Sequence, residues 1–238
     1  MITIIPAIDL IEGKCVRLTQ GDYGKSKTYR SDPVETAKRF EDAGLAFLHL
    51  VDLEGAKSNA PANLDILEKI ALKTSLRIDF GGGIKSEEAI RSALDCGAES
   101  VVCGSVAVSK PESLEEWLKK YGNKLILGAD MRNGRISTHG WLKDSDIEVE
   151  DLIARYLKKG IDKAICTDIS KDGMLQGVDK KYYKALQEKF PEVDIIVSGG
   201  VSSAADIKGL EEDGLRKVIV GKAIYEGRIT LKELSNIC

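Results

Sequence analysis

The sequence predicts an α/β protein of the (β/α)8 barrel class. Three observations predict it: eight apolar runs of strand length, amphipathic stretches alternating with them, and an internal repeat of half-barrel length. The first run, Ile2–Asp9, ends in a carboxylate and leads to the amphipathic segment Pro33–Ala43. Phe47–Asp52 precedes Leu64–Ala71, Leu76–Phe80 precedes Ser86–Cys96, and Ser100–Cys103 precedes Pro111–Tyr121. In the second half, Leu125–Asp130 is followed by Glu150–Lys158, Ala164–Thr167 by Asp179–Glu188, Ile195–Ser198 by Ala204–Glu212, and Val218–Val220 by Leu231–Asn236. The runs are continuous and rich in β-branched residues, as expected of parallel strands covered on both faces.

Gly82–Ser105 laid on Gly199–Lys222, an offset of 117 positions, matches Gly82/Gly199, Gly83/Gly200, Ser86/Ser203, Ile90/Ile207, Gly97/Gly214, Val101/Val218 and Gly104/Gly221 without a gap. The same comparison sets Asp9 at the end of the first strand opposite Asp130 at the end of the fifth. No linker or low-complexity segment divides the chain. It reads as one domain, residues 1–238, built of halves of roughly 1–122 and 123–238.

The 35 basic and 38 acidic residues give a net charge of −3, which leaves no basic surplus for nucleic acid. An apolar share of 43% beside 31% charged residues is that of a folded globule. No signal-like or membrane-spanning stretch appears, so a cytoplasmic protein is expected. The five cysteines, Cys15, Cys96, Cys103, Cys166 and Cys238, form no C-x-x-C pair and read as reduced, small hydrophobes. His49 and His139 lie 90 positions apart, so no metal site is expected. His49, in an apolar strand, reads as a satisfied interior histidine, and Trp117 as core.

Each half carries two glycine clusters after strands: Gly81–Gly83 and Gly104–Ser105, then Gly199–Gly200 and Gly221–Lys222. Glycine admits close backbone approach, and helix N-terminal N–H groups favour anions. One cluster could be a tight turn only. Four in two matched pairs point to two phosphate cradles, including the loops after strands seven and eight where barrels commonly bind phosphate. Asp9 and Asp130 stand at the rim where a barrel presents catalytic groups, suited to an acid and a base on one small molecule. The competing reading is a helix cap or ion pair. Thr167 or Asp172 would hold a carboxylate in register. Two long polar loops, Thr19–Asp32 and Arg132–Asp146, are lid candidates; the second contains His139 and Trp141, whose ring could stack on a planar group.

Ile5–Leu10 (IPAIDL), Gly13–Leu18 (GKCVRL), Leu50–Leu53 (LVDL), Phe80–Ile84 (FGGGI), Gly140–Trp141, Thr167–Gly173 (TDISKDG) and Ser198–Val201 (SGGV) closely resemble the phosphoribosylformimino-5-aminoimidazole carboxamide ribotide isomerase family of histidine biosynthesis. The resemblance spans the chain in order. It implies an Amadori rearrangement of a small bisphosphorylated aminoaldose to the aminoketose by a monomer, without cofactor. By the same resemblance Asp9 is the base and Asp130 the acid, with Thr167 and Asp172 supporting. Arg17 and Trp141 contact substrate, Trp141 by stacking on the imidazole. Gly82, Gly83, Gly104 and Ser105 hold one phosphate; Gly199, Gly200, Gly221 and Lys222 hold the other. Lys85 replaces an arginine common in the family, and Met174 a threonine. Three alternatives stand beside this: an isomerase that also takes phosphoribosylanthranilate, the sister cyclase of imidazole glycerol phosphate synthase, and a silent bisphosphate-binding barrel. The cyclase typically reads Cys-Leu-Asp in its first strand, unlike Ala7–Asp9 here; the silent barrel would need neither aspartate.

Overall fold

Every apolar run found in the sequence is a strand in the computed structural model, which describes residues 1–19, 22–29, 32–58, 60–138 and 140–237. The barrel strands are β1 (Thr3–Ile11), β2 (Phe47–Asp52), β3 (Arg77–Gly81), β4 (Ser100–Cys103), β5 (Leu125–Arg132), β6 (Lys163–Asp168), β7 (Asp194–Ser198) and β8 (Lys217–Val220). Each is parallel to its neighbours in chain order, and β8 pairs with β1, so the sheet closes and leaves no barrel edge unpaired.

Closure sorts the side chains by parity. Ile5, Ala7, Ile126, Ile165, Ile196 and Ile219 point inward and pack as a separate interior cluster, with Phe47 and Val102 against it. The opposite faces pack on an outer ring of helices that includes Pro33–Asp42, Leu64–Lys73, Glu87–Asp95, Pro111–Tyr121, Val149–Leu157, Lys180–Lys189, Ala204–Glu212 and Leu231–Ser235. Trp117 is in this outer core, as expected, and Cys15, Cys103 and Cys166 are buried, reduced thiols. Cys238 lies outside the described residues. No helix among them is long and apolar enough to cross a membrane.

The repeat is visible in the caps. Ser86 and Ser203 both accept a hydrogen bond from the third residue of the following helix, Ala89 and Asp206. Gly97 and Gly214 both follow a helix end at φ +98° and +86°.

The two expected lid loops are mostly antiparallel strands. Lys14–Thr19 folds back on β1, with Val16 opposite Asp9, and pairs with Asp22–Thr28. Arg135–Thr138 folds back on β5 and pairs with Lys143–Glu148. Asp22–Thr28 (DYGKSKT) and Lys143–Glu148 (KDSDIE) are too polar for an apolar-run reading; ladder hydrogen bonds to a neighbouring strand hold them. Residues 20, 21, 30 and 31 of the first loop, and His139 of the second, lie outside the described residues. Short helices Leu53–Ser58, Ser105–Ser109 and Lys222–Tyr225, each under two turns, were hidden in what reads as βα loop.

Candidate active site

The C-terminal ends of the strands surround one pocket, lined by Asp9, Arg17, Asp130, Trp141, Thr167 and Asp172 together with all four glycine clusters. Sequence reasoning placed these residues in nine separate stretches, and barrel closure brings them together.

Asp9 continues the inward parity of Ile5 and Ala7. Its Oδ2 lies 2.5 Å from Arg17 Nη1, and Arg17 is only 7% exposed. The arginine is set there by the fold-back of the first hairpin. It donates to the Ala7 carbonyl and lies over the Tyr225 ring, 4.8 Å from its centroid. A buried guanidinium needs such a counter-charge.

Asp130 lies two residues before the end of β5, in register with Thr167 of β6. Its carboxylate accepts from the Trp141 indole Nε1 at 2.8 Å and from the Thr167 side chain. Burial raises its pKa against the pull of these two donors and of His49. Trp141 and the preceding Gly140 have φ +70° and +63°, so the indole is delivered by a left-handed turn that a non-glycine residue adopts only at a cost.

Asp172 sits on the loop after β6, where its N–H bonds to the Asp168 carbonyl at 2.9 Å. Its pKa is pushed up to about 7, first by burial, then by the negative charge of Asp9, with Arg17 opposing.

Sequence reasoning undervalued one pair. His49 is satisfied, as expected, through an Nδ1 contact with Asp79, its register partner on β3. It also lines the pocket. Burial lowers the imidazole pKa, but Asp79, Asp9 and Asp130 outweigh it and the net shift is upward. The available signal was parity: Asp79 is a carboxylate inside an apolar run, two residues before Gly81, and therefore faces the barrel interior.

The two cradles are built alike. Gly82 and Gly83 have φ +102° and +76°; Gly199 and Gly200 have +89° and +88°. A Cβ at Gly82 would fall on the Asp52 carbonyl oxygen, and one at Gly199 would lie 2.7 Å from the Asp168 carbonyl oxygen. Gly104 and Gly221 cap the short helices with nearly the same backbone, φ/ψ −94°/−92° and −110°/−99°. Lys85 lines the pocket near the first cradle, its pKa lowered by burial. Lys222 Nζ donates to the Gly173 carbonyl at 2.7 Å beside the second.

The sequence matches the family described as "Histidine biosynthesis protein" over residues 3–230. The chain belongs to this family. The match to the histidine biosynthesis protein family runs from the first residue of β1 to Thr230, the cap of the last helix, and so takes in both cradles. Among similar curated proteins, one from Cytophaga hutchinsonii is 52% identical over 236 residues, 99% of this chain and 98% of its own. One from Bacteroides thetaiotaomicron is 53% identical over 235 residues, and one from Flavobacterium johnsoniae 50% over 234; for each, 98% of both chains is covered. All three are named as imidazole-4-carboxamide isomerases, and the substrate in that name carries two phosphoribosyl groups.

Proposed function

We propose that this protein is the aldose–ketose isomerase of histidine biosynthesis, a cytoplasmic enzyme that converts a bisphosphorylated aminoaldose to the aminoketose by an Amadori rearrangement. The observation that carries the reading is the pair of matched glycine cradles on opposite sides of one pocket, with carboxylates between them. A substrate with a phosphate at each end spans such a site, and relatives at 50–53% identity are named for a substrate of that form. Backbone N–H groups at Gly82–Gly83 and Gly104–Ser105 bind one phosphate, those at Gly199–Gly200 and Gly221–Lys222 the other.

Opening the ribose ring needs a proton on the ring oxygen as its bond to C1′ breaks, which leaves a Schiff base. A base then removes the C2′ proton, its electron pair forms the C1′–C2′ double bond as the C1′–N π pair returns to nitrogen, and the resulting enol becomes the ketose as C1′ gains a proton and the 2′-hydroxyl loses one. Asp9 is the base, held in place by its ion pair with Arg17. For the acid, the electrostatics favour Asp172 over Asp130: burial and the charge of Asp9 raise the Asp172 carboxyl to about 7. A carboxyl with a pKa of about 7 keeps a large protonated fraction at neutral pH. Hydrogen bonds from Trp141 and Thr167 oppose the rise that burial gives the Asp130 pKa, and through the first of them Asp130 positions the indole. This exchanges the roles that family resemblance alone gives Asp130 and Asp172. Trp141 stacks on the imidazole of the substrate.

A spectrophotometric assay of purified protein with the aminoaldose tests the reading, with turnover expected. Absence of turnover by folded protein refutes it, and a parallel assay with phosphoribosylanthranilate distinguishes a bifunctional enzyme.

A further inference from the structure

Asp52 is 0% exposed, ends β2, and takes no part in the chemistry above. Its carboxylate accepts from four donors: Oδ1 from Gly55 N at 2.9 Å and Asn63 Nδ2 at 2.8 Å, Oδ2 from Ala62 N at 2.5 Å and Asn63 N at 2.9 Å. Four donors fill the in-plane acceptor sites of a carboxylate, so Gly55, Ala62 and Asn63 are tied to one side chain. Ala60 and Pro61, next to Ala62, wall the first cradle. A Cβ at Gly83 would lie 2.5 Å from the Ala60 carbonyl carbon and 2.6 Å from Pro61 N, and one at Gly82 would strike the Asp52 carbonyl itself. The left-handed turn at Gly82–Gly83, which lines the pocket, is therefore pressed into shape by backbone that the Asp52 carboxylate holds.

The second cradle has the same steric brace with a different fastening. Gly199 is pressed by the Asp168 carbonyl and Gly200 by the Gly177 carbonyl, each 2.7 Å from a built Cβ. Yet the Asp168 carboxylate turns away to Ser170, accepting from its N at 3.0 Å and its Oγ at 2.6 Å. That loop is held instead by Gly177 N on the Gly200 carbonyl and by Lys222 on Gly173. Among the described residues, the loop carrying Asp172 is thus fastened by backbone and lysine hydrogen bonds, and the first cradle by a buried carboxylate.

We propose that Asp52 is a positioning residue for substrate binding, shaping the first phosphate cradle through residues 60–63; this rests on the reading of the glycine turns as phosphate sites. Asn at position 52 keeps the shape but offers one oxygen to four donors and turns its own N–H groups toward two of them. The Asp52→Asn variant should raise KM for the bisphosphate at least about tenfold while kcat stays within about threefold, a split that general destabilisation does not give.

Crystals of the parent and of Asp52→Asn soaked in inorganic phosphate separate the possibilities. The expected result is phosphate at both cradles of the parent and at the Gly199–Gly200 cradle alone in the variant. Phosphate at neither parental cradle overturns the phosphate reading itself. Phosphate at both cradles of the variant, with parental KM, overturns the role of Asp52 and leaves that reading intact. Loss at both cradles with kcat and Tm falling together makes Asp52 merely structural and also overturns the proposal. Should Asp52→Asn fail to fold, Asn63→Ala removes one of the four donors; a KM rise at constant kcat supports the proposal, and an unchanged KM overturns it.

Discussion

The glycines of the cradles separate two effects of adding one methyl group. Gly199→Ala meets both: φ of +89° disfavours any L side chain, and the new Cβ lies 2.7 Å from the Asp168 carbonyl oxygen, closer than real Cβ contacts allow. The left-handed backbone costs about 1–2 kcal/mol of stability, which for a chain of this size lowers Tm by about 2–8 °C. The clash forces the turn or the Asp168 backbone to move by tenths of an ångström, which misdirects the N–H groups that face the phosphate. A hydrogen bond to a charged group is worth about 1.5–3 kcal/mol, so losing one raises KM by about 10- to 150-fold. Gly214→Ala is the control: φ is +86° and nothing lies within 4 Å of its built Cβ, so it incurs the backbone penalty without the clash and away from the pocket. Steady-state kinetics and thermal melts of both variants should show a Tm loss in each, larger for Gly199→Ala because of the clash, a strong KM rise for Gly199→Ala only, and little change in kcat. A folded Gly199→Ala variant with KM within about threefold of the parent would refute the cradle.

Trp141→Ala should weaken substrate binding by about 1–3 kcal/mol through lost stacking and leave Tm nearly unchanged; Trp141→Phe should restore the stacking but not the bond to Asp130, and a large Tm drop with intact kinetics in Trp141→Ala would place the ring in the core instead. Asp79 raises the His49 pKa, and a raised imidazole pKa contributes stability that is fully present below the unfolded value near 6.5 and is lost as pH rises through the folded value. The Tm deficit of Asp79→Asn should accordingly be larger at pH 5.5 than at pH 9; the opposite trend would show that His49 is not held protonated. Asp172, raised from 3.8 to about 7, likewise stabilises the fold below its unfolded value and loses that contribution as pH rises to about 7. Asp172→Asn should therefore gain Tm relative to the parent at pH 8, and an equal or lower Tm would remove the argument for its raised pKa.

The barrel was legible because both faces of its strands are apolar, and continuous runs such as Leu125–Asp130 survive as signal whatever the loops do. The repeat was legible for a physical reason too: the matched positions are those where side-chain choice is tightly constrained, as in the caps Ser86 and Ser203 and the left-handed glycines at 82, 97, 199 and 214. The hairpins were not legible, since Asp22–Thr28 and Lys143–Glu148 owe their form to ladders with neighbours rather than to an apolar face. Asp9 and Asp130 could be placed at strand ends by position alone. Their electrostatics could not, because the shift at Asp172 depends on burial and on Asp9, which is 163 positions away in the chain. His49 is the satisfied interior histidine expected, but its partner Asp79 was not singled out, because their pairing follows from the register of two neighbouring strands.

The kcat–pH profile of Asp172→Asn, measured beside the parent, tests the division of acid and base most directly. The parent should lose activity as pH rises through about 7, where Asp172 gives up its proton. The variant should turn over about 10²–10⁴-fold more slowly and lack that alkaline limb, with Asp9 left to act as base. A variant that keeps kcat within about threefold and retains the limb would contradict the assignment and return the acid to Asp130.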